Sequence, residues 1–166
     1  MLAYILLFVG AAARLFVHVP NFSPVLAIAL FSGVYINRKY ALILPVALMA
    51  LTDLFLGGHP TMFFTWGAIL VIAAMGIWVR NRKSAGVVLL GSLGAAVFFY
   101  LVTNFGVWLM TGMYAKTFAG LMDCYVMGIP FFRTSVVSTL IYAAVLFGVY
   151  EYAALKLKST KFAGVV

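Results

Sequence analysis

The run AGVVLLGSLGAAVFFYLVTNFGVWL, residues 85–109, decides the fold. It carries no charged side chain over 25 residues, and about 20 apolar residues suffice for a helix to cross a hydrocarbon core about 30 Å thick. Ser92, Thr103 and Asn104 interrupt its apolar character without ending it. The basic string Arg80-Asn81-Arg82-Lys83-Ser84 precedes it, and a less apolar stretch holding Gly112 and Lys116 follows. A segment of this kind reads as a transmembrane helix, and the rest of the chain repeats the pattern.

The 166 residues are 66% hydrophobic and only 8% charged, with a mean hydropathy of +1.17. A soluble domain carries about 25% charged residues. That deficit excludes both a soluble globular domain and a disordered chain. At about 28 residues per span and connection, the length accommodates about six helices and no sizeable soluble domain. The expected spans run over Met1–Val17, Pro24–Ile36, Tyr40–Leu56, Thr61–Val79, Ala85–Leu109 and Phe131–Leu155. Pro45 lies inside the third and predicts a kink. The first has no basic n-region, so it reads as a retained helix rather than a signal peptide. Asn21-Phe22-Ser23-Pro24 and Gly57-Gly58-His59-Pro60 read as turns. Met110–Pro130 is too long for a simple connection and predicts a short interfacial helix.

Charge gives an orientation. Arg38, Lys39, Arg80, Arg82, Lys83, Lys156, Lys158 and Lys161 fall on one face of a six-span chain. Arg14, Lys116 and Arg133 fall on the other. By the positive-inside rule both termini are cytoplasmic. The net charge of +8 therefore reports topology and does not imply a nucleic-acid partner. The expected fold is all-α: a polytopic transmembrane bundle of about six helices, one transmembrane domain over residues 1–166, with short connections that favour antiparallel packing of sequential neighbours. Ala29/Gly33, Gly91/Ala95 and Ala144/Gly148 are small pairs four apart that permit close helix approach.

On this orientation the polar residues concentrate toward the outer side. Asp53 lies in the last turns of the third span. An ionisable group there costs about 2.5–3.5 kcal/mol on insertion scales and faces the bundle interior or a cavity. Asn104 and Trp108 share a helix face, as do Arg14 and His18. Asp53, Asn104, Trp108, His59, Asn21, Arg14 and Arg133 are the candidate substrate-binding residues, lining an outward-facing pocket. That mixture suits a small organic solute better than a bare ion. Asp53 would hold a ligand cation or hydrogen bond, Asn104 would bond the ligand, and Trp108 would stack on it. His59 and Asn21 would close the pocket from loops. The bland alternatives are an Asp53 pair with Arg14 or Arg133 that only glues helices, aromatic belts at interface depth, and a solvated Arg80–Lys83 loop.

The chain has no nucleophile elbow, zinc-protease helix pair or P-loop. Three acids and one cysteine supply neither a multi-carboxylate metal site nor a disulfide framework. The reading is therefore a non-enzyme without metal or cofactor, whose partners are the lipid bilayer and a solute.

The runs Pro20-Asn21-Phe22-Ser23-Pro24-Val25, Asp53-Leu54-Phe55-Leu56-Gly57-Gly58-His59, Phe98 to Trp108, and Cys124-Tyr125 with Ile129-Pro130-Phe131-Phe132 resemble a bacterial inner-membrane family described as transport proteins. The six short helices are also loosely similar to the substrate-binding S-components of energy-coupling factor transporters. These resemblances imply solute capture at the bacterial inner membrane, and the second implies an energising transporter module as partner. The S-component docking face, an Ala pair four apart on the first helix, has no counterpart in Ala11-Ala12-Ala13. The alternative is a non-transporting structural or assembly subunit of a membrane complex.

Overall fold

In a computed structural model, which describes residues 1–16, 19–82 and 84–157, the described chain is entirely helical. The elements are α1 (Leu2–Phe16), α2 (Val25–Tyr35), α3 (Arg38–Ala41), α4 (Ile43–Leu56), α5 (Met62–Val79), a 3₁₀ turn (Arg80–Arg82), α6 (Ala85–Met110) and α7 (Phe118–Leu157). With α3 a single turn, this is a bundle of six helices. Four segments are long and apolar enough to span a membrane: Arg38–Leu56, Met62–Arg82, Ala85–Met110 and Phe118–Leu157. Their outer faces present Leu54, Phe55, Phe63, Trp78 and Leu90, each exposed, as a lipid-facing surface requires. The chain is an integral, multi-pass membrane protein.

The two remaining helices are short, and α2 organises the bundle. Every residue from Leu26 to Val34 is buried. A helix buried on all sides needs no amphipathic stripe, and VLAIALFSGVY has none. Its closest partner is α5, which is not its sequence neighbour. Gly33 makes the approach possible. A Cβ built there would stand 2.1 Å from the Ala73 carbonyl oxygen and 2.6 Å from Gly76 Cα. The small pair Ala29/Gly33 thus marks a crossing with α5. The two helices run in the same direction, with Gly33 level with Ala73 and Gly76, and Ile36 level with Arg80. Short connections therefore did not dictate the tightest contact. The helices α1/α2, α5/α6 and α6/α7 do pack as sequential neighbours.

Of two prolines, Pro45 interrupts its span as the sequence predicts, and Pro130 does not act as expected. The third span breaks at Leu42, between α3 and α4, a turn before Pro45. Pro45 sits in the first turn of α4, where an N–H is dispensable, and its ring denies the Ala41 carbonyl a helical partner. The buried Ser32 hydroxyl donates to that carbonyl at 2.9 Å.

Pro130 ends nothing. The sequence predicts a short interfacial helix within 110–130 and a separate span starting at Phe131; the structure joins them in one 40-residue helix from Phe118 to Leu157 with Pro130 inside it. At 1.5 Å per residue it is about 60 Å long, twice the hydrocarbon thickness. A membrane helix tolerates such a proline when neighbours satisfy the backbone it frees. One turn before Pro130, α7 is tied to α6: the Tyr100 hydroxyl donates to the Tyr125 carbonyl, and the Tyr125 hydroxyl to the Leu101 carbonyl at 3.0 Å.

The basic residues Arg38, Lys39, Arg80, Arg82 and Lys156 gather at one end of the bundle, which we term the basic end. Arg80 is not a solvated loop charge. Its guanidinium donates to the Gly33 carbonyl through Nε at 3.1 Å and Nη2 at 2.7 Å, and also to the Ile36 carbonyl. It caps the C-terminus of α2, where the helix dipole favours a cation and the last carbonyls lack partners.

Candidate functional site

A cavity of about 630 Å³ opens at the end opposite the basic residues. Its origin is geometric. With 11 residues, α2 rises about 16 Å, whereas the 18 residues of α5 rise about 27 Å. The centre of the bundle is filled at the basic end and left open above the start of α2. The turn before α2, the facing ends of α4 and α5, and the walls of α6 and α7 enclose that space. The size lies within the range of small-molecule sites, about 300–1,000 Å³.

The turn that forms the floor is set by Asn21, whose φ of 58° is left-handed. Asparagine tolerates this region better than branched residues do. The Ser138 hydroxyl of α7 donates to the Asn21 carbonyl at 3.3 Å, fixing the turn against the wall. Pro24 then starts α2 without a side-chain cap. At the α4–α5 connection, His59 Nδ1 lies 3.0 Å from Thr61 Oγ1. On α6, Asn104 Nδ2 donates to the Tyr100 carbonyl at 2.8 Å. Its Oδ1 lies against Gly128 of α7, where an added Cβ would approach to 2.5 Å. Glycine at 128 is therefore what lets the amide fit between the two helices.

Of the residues singled out from the sequence, Arg14, Asn21, His59 and Asn104 line this cavity together. Asp53 stands behind the wall. Its carboxylate receives Arg14 Nη2 at Oδ1, 2.7 Å, and Trp66 Nε1 at Oδ2, 2.8 Å. Arg14 also donates to the Met49 carbonyl at 3.3 Å and to the Thr52 hydroxyl. The pair ties α1, α4 and α5 into one buried network with both carboxylate oxygens occupied. Trp108 is at the rim, outside the lining. Its indole donates to the Ala115 carbonyl at 2.8 Å, and Lys116 Nζ lies 5.6 Å from its ring centroid, holding the connection before α7. Arg133 is fifteen residues into α7, exposed on its outer face and away from the cavity. His18 lies outside the described residues.

Thr103 and Cys124, polar groups on the outer side in the sequence, also line it, and with them Thr65, Phe99, Ser135 and Ser138, which the sequence did not single out. The sequence signal for the last two was the hydroxyl run Ser135, Ser138, Thr139 inside an apolar helix, at helical spacing. Trp66 also escaped notice as a partner of Asp53, although both sit near the same end of adjacent spans. Among the described residues there is no group of three or more His, Cys, Asp or Glu side chains that could hold a metal ion.

Arg14, largely buried, is neutralised by Asp53, and no carboxylate lines the cavity. The lining is otherwise hydroxyl, amide, imidazole, thiol, aromatic and aliphatic. Such a space can orient a small molecule by hydrogen bonds and hold its apolar part on Phe22, Phe99 and Phe131.

No curated protein and no solved structure matches the chain. A family profile covers residues 1–161. The chain belongs to DUF6580, a family of unknown function.

Proposed function

We propose that this protein captures a small organic solute from the outer side of a bacterial inner membrane and helps to move it inward. The observation that carries the reading is the roomy, mixed-polarity cavity at the end opposite the basic residues. Placing those residues in the cytoplasm, by the positive-inside rule, turns the cavity outward and both termini inward. Arg14, Asn21, His59 and Asn104 would contact or enclose the solute. Asp53 would hold Arg14 in place, and Trp108 and Lys116 would fix the rim. The protein would act by binding, without catalysis or a cofactor. It holds no nucleotide-binding loop, so inward movement would draw on an ion gradient or on an energising module. The test is a thermal-shift screen of the purified chain against vitamins and metabolites, repeated with Asn104→Ala. The reading expects at least one compound that stabilises the wild type and loses most of that effect in the variant. If no compound stabilises the wild type, the capture reading fails.

A second reading, a structural or assembly subunit, draws on Arg133. This cation stands exposed on the apolar outer face of α7 and makes no ion pair among the described residues. An acidic side chain on a partner's membrane helix would satisfy it. Arg133→Leu would then abolish co-purification of that partner while leaving solute binding intact.

A further inference from the structure

Four polar side chains of the cavity wall have already spent their protons on backbone carbonyls. Thr103 Oγ1 donates to the Phe99 carbonyl at 2.8 Å. Ser138 Oγ is engaged with the Asn21 carbonyl at 3.3 Å and the Ser135 carbonyl at 3.1 Å. Thr65 Oγ1 donates to the Thr61 carbonyl at 3.4 Å, and the Cys124 thiol to the Asn104 carbonyl at 3.3 Å. A hydroxyl carries one proton and two lone pairs. What these groups offer inward is therefore lone pairs, and they want donors from a ligand.

The floor has the opposite character. The first-turn N–H groups of an α-helix point back along its axis and lack intrahelical partners. At the start of α2 the Ser23 hydroxyl oxygen takes the Val25 N–H at 3.4 Å, and Leu26, the next residue of the first turn, lines the cavity. The floor therefore wants an acceptor. Neither side calls for a net charge. No carboxylate lines the space to meet an ammonium, and the guanidinium that would meet a carboxylate is already paired with Asp53 at 2.7 Å.

We infer that the solute is an uncharged molecule of amide or lactam type, with its carbonyl at the start of α2 and its N–H groups on the hydroxyls of α5, α6 and α7. Its ring or chain packs on Phe22, Phe99 and Phe131. This inference rests on the capture reading and narrows it to a chemical class.

The test uses matched probes on the purified full chain in detergent. Benzamide, caprolactam and uracil are compared with the charged counterparts benzoate, benzamidinium, 6-aminohexanoate and orotate, and with N,N-dimethylbenzamide, which keeps the carbonyl but has no N–H. Thermal stabilisation is read as a function of probe concentration. The expected result is binding by at least one neutral N–H probe, weaker or absent binding by its counterparts, and roughly tenfold weaker binding by Thr103→Val. Thr103→Val keeps the side-chain shape and removes only a bond within α6, so it folds; Thr65→Val is the second variant on an independent helix. Stronger binding by a charged counterpart, or equal binding by N,N-dimethylbenzamide, overturns the chemical class and leaves capture standing. Failure of all neutral probes also overturns the class, and if the metabolite screen is equally silent, capture falls with it.

Discussion

Replacing Asp53 by Leu should unfold this protein more readily than almost any other single change, for reasons unconnected with a ligand. The carboxylate is 5% exposed and the Arg14 side chain 15% exposed, with 2.7 Å between Oδ1 and Nη2. Removing the acid leaves a largely buried guanidinium with only the Met49 carbonyl and the Thr52 hydroxyl. Breaking one side of a buried pair costs about 3–5 kcal/mol. The residual exposure of Arg14 places the expected loss near the lower end, at about 3 kcal/mol. Trp66→Phe removes one further bond to the same carboxylate, and single interhelical bonds in membrane bundles are worth about 0.6–1.7 kcal/mol. The double variant Asp53→Leu/Arg14→Met replaces the pair with apolar groups and should recover to within about 1 kcal/mol of wild type. The assay is reversible unfolding in detergent of wild type, Asp53→Leu, Arg14→Met and the double variant, read by tryptophan fluorescence. The expected coupling energy is at least about 2 kcal/mol, with the double variant more stable than Asp53→Leu alone. Additive losses, or an Asp53→Leu variant as stable as wild type, would refute the network.

Two more outcomes follow from the same packing. Gly33→Ala forces a methyl group to within 2.1 Å of a backbone carbonyl that cannot yield as a side-chain tip would. It should cost more than the usual 1–3 kcal/mol of overpacking, seen as loss of monodisperse protein on size exclusion. Gly67→Ala, where an added Cβ meets nothing, is the matched control. Arg80→Gln should destabilise by about 2–4 kcal/mol in thermal unfolding, because it removes charge-assisted bonds to the end of α2. Arg82→Gln, in the same turn but exposed, should cost under about 0.5 kcal/mol.

Much of the bundle is legible along the chain because bilayer thickness imposes length. The uncharged run at 85–109 became α6, and the spans at 61–79 and 24–36 appear within a residue or two as α5 and α2. The misreadings share a cause: local punctuation yields to tertiary contact. Pro130, Gly120 and Gly128 look like a connection. Yet Gly128 is small to admit Asn104, and Gly120 is small because an added Cβ would meet the Ala115 carbonyl at 2.2 Å. Pro130 lies inside a helix that Tyr100 and Tyr125 bond to its neighbour one turn earlier. Depth along the membrane predicted which polar residues share an end. It left open whether Asp53 pairs with Arg14 or Arg133 or faces a ligand, and the structure shows the pair with Arg14. Arg80 reads as a loop charge until α2 is seen to end beside it. Asp53 reads either as a ligand group or as a partner of Arg14, and the structure places Arg14 on one of its oxygens and Trp66 on the other.

The claim on which the account rests is that the cavity opens to the outer face and takes up a solute. Cys124 is the chain's single cysteine and lines that cavity. The decisive measurement is its modification by a membrane-impermeant thiosulfonate in right-side-out and inside-out vesicles, alongside Thr61→Cys in a Cys124→Ser background. The account predicts reaction from the outer side alone, slowed at both positions by whichever compound stabilises the purified protein. Reaction from the inner side alone, or labelling that no stabilising compound slows, contradicts it.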